Sequence, residues 1–181
     1  MYNEEEKAIH FIMMAFANQK RIKEDIPMVF HSVMVGYMLK DYGYDNEVVI
    51  TGFLHDVIED TNYTFVDLKK EFGTQIANNV LEISEDQTIL DWKTRKEEFL
   101  KRMRTWKKEI LYVELADKLQ NLLSDYSLWQ EKGSIGLATL NTTYEMNKWY
   151  YVSIQEIFHE KISSEPLLKR YDEIVRIYFG D

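Results

Sequence analysis

The stretch FLHDVIEDTNYT, Phe53 to Thr64, sets a histidine and three carboxylates within six consecutive positions, His55 to Asp60, between residues of core type. On a helix Asp56 lies one turn from Glu59 and Asp60, a spacing at which like charges repel. Near a helix C-terminus the macrodipole disfavours anions as well. Each effect is roughly a few tenths of a kcal/mol at the surface and grows with desolvation. A structural purpose for the crowding is therefore poorly motivated. A bound cation reverses the sign, converting repelling carboxylates into ligands and giving a neutral His55 imidazole a partner. Adjacent His55 and Asp56 cannot surround an ion alone, so other segments must contribute.

The chain offers four histidines: His10, His31, His55 and His159. His10 and His159 stand in charged company and read as surface residues. His31, beside apolar neighbours, reads by itself more readily as a packed core histidine than as a ligand. Asp117 in ELADKLQN interrupts an apolar helix stripe of Val113, Leu115, Ala116 and Leu119. A carboxylate in such a stripe is costly unless it is paired or coordinates a metal. A nitrogen and oxygen donor set without sulfur suits Mn²⁺, Fe²⁺ or Zn²⁺. Such an ion acidifies water and polarises a phosphoryl oxygen, and Glu59, one turn from His55 and Asp56, is placed to take the water's proton.

The elements that must position these residues read as helices. Glu4 to Gln19 carries Ala8, Ile9, Ile12, Met13 and Phe16 at the spacing of a buried stripe. Pro27 opens a second helix that runs through Val33, Met34, Tyr37 and Met38 to Gly43. A third spans Glu47 to Asp60. Thr64 with Asp67 marks a helix start and Phe72-Gly73 its stop. Further helices cover Gln75 to Ser84, Asp91 to Arg104, Lys108 to Ser124, Thr139 to His159 and Pro166 to Phe179. Gly133-Ser134-Ile135-Gly136 reads as the most flexible connection. Trp149-Tyr150-Tyr151 reads as packing, and the basic run Lys93 to Lys108 chiefly as a solvated helix face. The expectation is an all-α bundle, without βαβ rhythm or a Gly-rich phosphate loop.

Composition narrows the function. The 181 residues, 45% hydrophobic, suit one globular domain, residues 1–181. Absence of cysteine excludes disulfides and thiolate ligands and fits a reducing compartment. The acidic N-terminus is no targeting segment, and no apolar run approaches the roughly 18 residues of a membrane span. These features imply a cytoplasmic protein without membrane partners. A net charge of −9 argues against a nucleic acid polymer as partner. A small anionic ligand held by local cations or a metal remains open.

The order His31, His55-Asp56, Asp117 resembles the H…HD…D pattern of the HD superfamily of metal-dependent phosphohydrolases. The longer block FLHDVIEDTNYTFVDLKKEFG resembles the hydrolase domain of RelA/SpoT-type enzymes. ELADKLQNL, AFANQKR and PMVFH are similar to further segments of it, so the likeness spans roughly Ala8 to Tyr126. The chain looks like a stand-alone small alarmone hydrolase: a single-domain helical bundle of the HD-domain type. The resemblance implies His31, His55, Asp56 and Asp117 as ligands of one Mn²⁺. It implies Glu59 and Asp60 as the pair that orients or activates water, and Arg21, Lys23 and Asn121 as contacts to a small-molecule nucleotide. The implied reaction removes the 3′-pyrophosphate of guanosine tetra- or pentaphosphate, giving GDP or GTP. The chain departs from the family at Phe16, Asn18, Ile22, Met28, Ser32 and Glu114, all on the expected substrate side. Two other readings stand beside this one: an HD-type phosphohydrolase of another nucleotide, and a non-catalytic nucleotide-sensing HD domain.

Overall fold

The computed structural model describes residues 2–21, 24–133 and 142–180. Among them the order is α1 (Glu4–Ala15), β1 (Lys20–Arg21), β2 (Ile26–Pro27), α2 (Val29–Asp41), α3 (Asn46–Leu54), α4 (Val57–Asp60), α5 (Phe65–Ile83), α6 (Trp92–Met103), α7 (Lys108–Lys132), α8 (Tyr144–Ile162) and α9 (Pro166–Phe179). The all-α expectation holds, with one small hairpin added. Ile22, Lys23 and Ser134 to Gly136, for which the sequence carried expectations, lie outside the described residues.

Side-chain caps set several helix starts. Asn3 and Glu6 form a reciprocal capping box at α1, Thr64 and Asp67 form another at α5, and Asp91 caps α6. Within α5 the backbone leaves the helix at Gly73, φ 86°, the stop expected there. That conformation is open to glycine at little cost.

Several boundaries differ from the periodicity. α1 stops at Ala15, Met13 is exposed, and β1 and β2 pair antiparallel as a hairpin, with Lys20 opposite Pro27 and Arg21 opposite Ile26. Pro27 therefore belongs to β2 and not to α2, on which Tyr37 faces solvent. The helix read over Glu47 to Asp60 is two helices, broken at His55-Asp56. Both residues keep right-handed dihedrals, but Asp56 opens to ψ −4°. The Gly52 carbonyl, which an unbroken helix would give to the Asp56 N–H, accepts from the His55 imidazole instead. α7 runs past Ser124 to Lys132, and α8 starts at Tyr144.

One apolar cluster joins residues from Ala8 to Phe179. α7 lies at its centre, in contact with α2, α3, α5, α8 and α9. α2 and α3 pack most closely: a Cβ at Gly36 would overlap the Phe53 ring, and one at Gly52 the Leu39 side chain. This crossing brings the start of α2 against the end of α3.

Candidate metal centre and active site

His31 sits in the first turn of α2, His55 and Asp56 fill the break between α3 and α4, and Asp117 lies in α7. His31 Nε2 is 3.1 Å from His55 Nε2, 3.0 Å from Asp117 Oδ1 and 3.4 Å from Asp56 Oδ2. His55 Nε2 is 3.1 Å from Asp56 Oδ1 and 3.6 Å from Asp117 Oδ1. Both rings and Asp117 are buried.

The second nitrogen of each ring fixes its tautomer. His55 Nδ1 lies 2.8 Å from the Gly52 carbonyl oxygen, and His31 Nδ1 meets Gln120 Oε1. Both partners only accept, so each Nδ1 carries a proton and each ring turns its Nε2 toward the other. Two ring nitrogens and two carboxylates then face one another with no permanent donor among them. Protons or a cation must fill that centre. Burial opposes a charged His55, but Asp56 and Asp117 outweigh it and hold the imidazole well above its ordinary value. Burial likewise opposes an ionised Asp117, and Lys118 with the two histidines holds it well below the carboxylate range. The ligand atoms of His31, His55 and Asp117 lie within 4.8 Å of one another. Two imidazoles with carbonyl-bonded Nδ1–H groups, two carboxylates and no sulfur fit a divalent ion of the Mn²⁺, Fe²⁺ or Zn²⁺ kind.

These residues line a cavity of about 490 Å³ that also contains Glu59, Asp60, Arg21 and Asn121. The Glu59 carboxylate accepts from the Glu85 N–H at 2.9 Å and from Gln87 Nε2 at 2.7 Å. Burial, with the Asp56 charge second, pushes its carboxyl up to about 7. The same two causes push Asp60 to about 7, and the Asp60 carbonyl is tied to the hairpin by Gln19 Nε2 at 2.9 Å. Arg21 donates to Asn121 Oδ1 at 3.1 Å and Ser124 Oγ at 3.4 Å, and pairs with Glu24. Asn121 in turn donates to Asp117 Oδ1 at 2.6 Å. Arg21 and Asn121 thus form a chain of hydrogen bonds ending on a carboxylate of the histidine cluster. Lys23 lies outside the described residues.

Sequence reasoning missed Gln120, the acceptor for His31. It missed too the ion pairs of the cavity lining, where Lys118 meets Asp117 Oδ2 at 2.7 Å and Glu114 at 3.2 Å, and Lys96 meets Glu85. Glu114 is buried, and burial, opposed by the Lys118 ammonium and reinforced by the Asp117 charge, pushes its carboxyl up to about 7. The spacing of Gln120, three residues after Asp117 and so on the same helix face, was the available signal. Lys96 comes from the basic run expected to be solvated, and it is turned inward. His10 and His159 are exposed, as expected, with His159 paired to Asp172.

The HD domain family matches residues 8–135. A Synechocystis protein named as a probable guanosine-3′,5′-bis(diphosphate) 3′-pyrophosphohydrolase is 32% identical over 119 residues, 63% of this chain and 16% of that protein. The Xenopus tropicalis guanosine-3′,5′-bis(diphosphate) 3′-pyrophosphohydrolase MESH1 is 32% identical over 106 residues, 58% of this chain and 59% of its own length. The chain thus spans less than two thirds of either relative. A solved structure described as a metazoan ortholog of SpoT that hydrolyzes ppGpp superposes with a TM-score of 0.82 at 23% identity, covering 100% of this chain and 98% of that one. The structure of lmo0812 from Listeria monocytogenes superposes with a TM-score of 0.77 at 31% identity, covering 83% of this chain and 99% of that one.

Proposed function

Because the chain belongs to the HD domain family, we propose that it is a metal-dependent phosphohydrolase that removes the 3′-pyrophosphate of guanosine tetra- or pentaphosphate, and that residues 1–181 act as one hydrolase domain. The observation that carries the reading is the pair of Nε2 atoms, 3.1 Å apart, facing Asp56 and Asp117 inside the cavity that holds Glu59, Asp60 and Arg21. The names of the Synechocystis and Xenopus relatives support the choice of nucleotide.

His31, His55, Asp56 and Asp117 hold the ion, assigned as Mn²⁺. When bound, it supplies Lewis-acid polarisation of a phosphoryl oxygen and a lowered pKa for water. Glu59 takes the proton of the attacking water. Burial disfavours the Glu59 carboxylate and so makes it a stronger base than a solvated glutamate, which suits that task. The hydrogen bonds from Glu85 and Gln87 hold the Glu59 carboxylate in place while leaving a lone pair on each oxygen. Asp60 orients the same water from the next position. Arg21, with Asn121 and Lys23, binds the nucleotide, and Glu24 and Asn121 preset the guanidinium so that little side-chain entropy is lost on binding. Water oxygen forms the new bond to phosphorus, the bond from phosphorus to ribose O3′ breaks, and O3′ leaves with a proton.

The test is a nucleotide panel offered to the Mn²⁺-loaded protein, with products separated by chromatography. GDP and pyrophosphate from guanosine tetraphosphate are expected. Orthophosphate release, or turnover restricted to nucleotides without a 3′-phosphate, would overturn the assignment.

A further inference from the structure

Four cations line the cavity: Lys20, Arg21, Lys96 and Lys118. Lys20 pairs with Asp25; Arg21 of the hairpin bonds Asn121 and Ser124 of α7, whereas Lys118 turns back along α7 to Glu114 and shares the Tyr150 ring with Lys96 of α6. A buried lysine is costly unless paired. Lys118 is accounted for by Asp117 and Glu114, since it neutralises a carboxylate turned toward the histidines.

Lys96 has less reason to be there. Among the described residues its one carboxylate in ion-pair range is Glu85, whose Oε2 is already held by Arg95 Nε at 3.0 Å. One anion is thus shared by two cations. Arg95 also donates to the Ile89 carbonyl at 2.7 Å and does not line the cavity, whereas Lys96 does. The Lys96 ammonium lies 4.6 Å from the Tyr150 ring centroid and 5.8 Å from that of Trp92. Ring faces attract a cation without neutralising it. An ammonium has three donors, and one carboxylate does not exhaust them. The side chain is 14% exposed, and Lys96 lines the cavity. On the same side lie Glu59 and Glu85, which would repel a phosphoryl group if no cation stood beside them.

We propose that Lys96 binds the diphosphate that leaves in hydrolysis, at the α6 end of the cavity, so that the nucleoside end lies toward Arg21. The assignment rests on the proposed reaction and gives it a direction. When the bond to O3′ breaks, the ribose keeps the electron pair and a proton, and the pyrophosphate formed with the water oxygen stays against Lys96. Lys96 is a substrate-binding group here, and Lys118 a positioning one that acts through Asp117.

The experiment measures pyrophosphate and GDP separately, by calorimetric titration and as product inhibitors, on Mn²⁺-loaded protein with the metal in excess over pyrophosphate. Lys96→Met should weaken pyrophosphate at least tenfold and leave GDP within twofold, and Lys96→Arg should restore most of the loss. Equal weakening of both ligands, or unchanged pyrophosphate binding in folded K96M, overturns the proposal. If K96M does not fold, Glu85→Gln provides the second arm. It releases Lys96 from its carboxylate and should tighten pyrophosphate severalfold, and unchanged or weaker binding overturns the proposal. Wild type that binds pyrophosphate through Lys96 but leaves guanosine tetraphosphate intact would overturn the reaction and retain the subsite. Wild type that cleaves it while K96M binds pyrophosphate normally would do the reverse.

Discussion

Replacing Gln120 by leucine tests the whole construction of the centre, because Gln120 touches no substrate atom in the proposed reaction yet fixes the His31 ring. Leucine has similar volume and helix propensity but no acceptor. The buried His31 Nδ1–H would lose its partner, at a cost of about 1–3 kcal/mol to the fold. Loss of the group that orients a ligating histidine typically costs about 10- to 100-fold in metal affinity, equivalent to about 1.4–2.8 kcal/mol. Titration calorimetry of Mn²⁺ into metal-free wild type, Gln120→Leu and Gln120→Glu reads the second quantity, and urea unfolding of the metal-free proteins reads the first. Gln120→Glu keeps an acceptor and makes the imidazole more basic, so it should bind the ion at least as tightly as wild type. Gln120→Leu with wild-type affinity and an unchanged fold would show that His31 does not face the ion through Nε2.

Glu59→Gln should retain Mn²⁺ and nucleotide affinity and lose about 10²- to 10⁴-fold in turnover; near-normal kcat with metal content confirmed would transfer the role to Asp60. Arg21→Ala should raise KM for guanosine tetraphosphate at least tenfold, with a smaller effect on kcat, and an unchanged KM would remove Arg21 from the nucleotide site. In the metal-free protein, Glu59 and Glu114 keep their protons up to about pH 7, whereas unfolded glutamates lose them near 4.5. The folded state therefore binds more protons between those values, and these groups lower stability as pH rises through that window, by about 1.4 kcal/mol per unit per fully protonated group. Urea unfolding of metal-free protein from pH 4.5 to 7 should show that slope, and Glu114→Gln should reduce it; a slope untouched by the substitution would contradict the assignment. Asp117→Ala should reduce Mn²⁺ affinity and narrow the difference in melting temperature between metal-free and metal-loaded protein, because an ion that binds the native state stabilises it by mass action.

The helical architecture and the cluster His55, Asp56, Glu59 and Asp60 were legible because their signals are local: a period along the chain, and repulsion between near neighbours. The break within that cluster was not. His55 and Asp56 keep helical dihedrals, and the competing acceptor for the imidazole is a backbone carbonyl that no residue type announces. His31 was ambiguous for a physical reason: burial in an apolar face and ligation of an ion are, at this position, the same placement, and only the facing His55 separates them. Gln120 and Lys96 were opaque for another. A glutamine on a helix and a lysine in a basic run are ordinary surface residues until a second element covers them, as α2 covers Gln120 and the Tyr150 ring of α8 covers Lys96.

The spacing of the centre depends on residues with no chemistry at all. The two Nε2 atoms can meet only if α2 and α3 cross at close range, and that range is set where Gly36 admits the Phe53 ring and Gly52 admits Leu39. Gly36 lies five positions after His31 and Gly52 three before His55, so each glycine sits within about one and a half turns of the ligand whose approach it allows. A side chain at either would act on the centre through the distance between helices, without touching a ligand. Gly52 has a second part, since its carbonyl takes the His55 Nδ1–H. The same residue therefore governs how near the two rings come and which nitrogen His55 presents, and that coupling is why the helix can break at His55 without loosening the site.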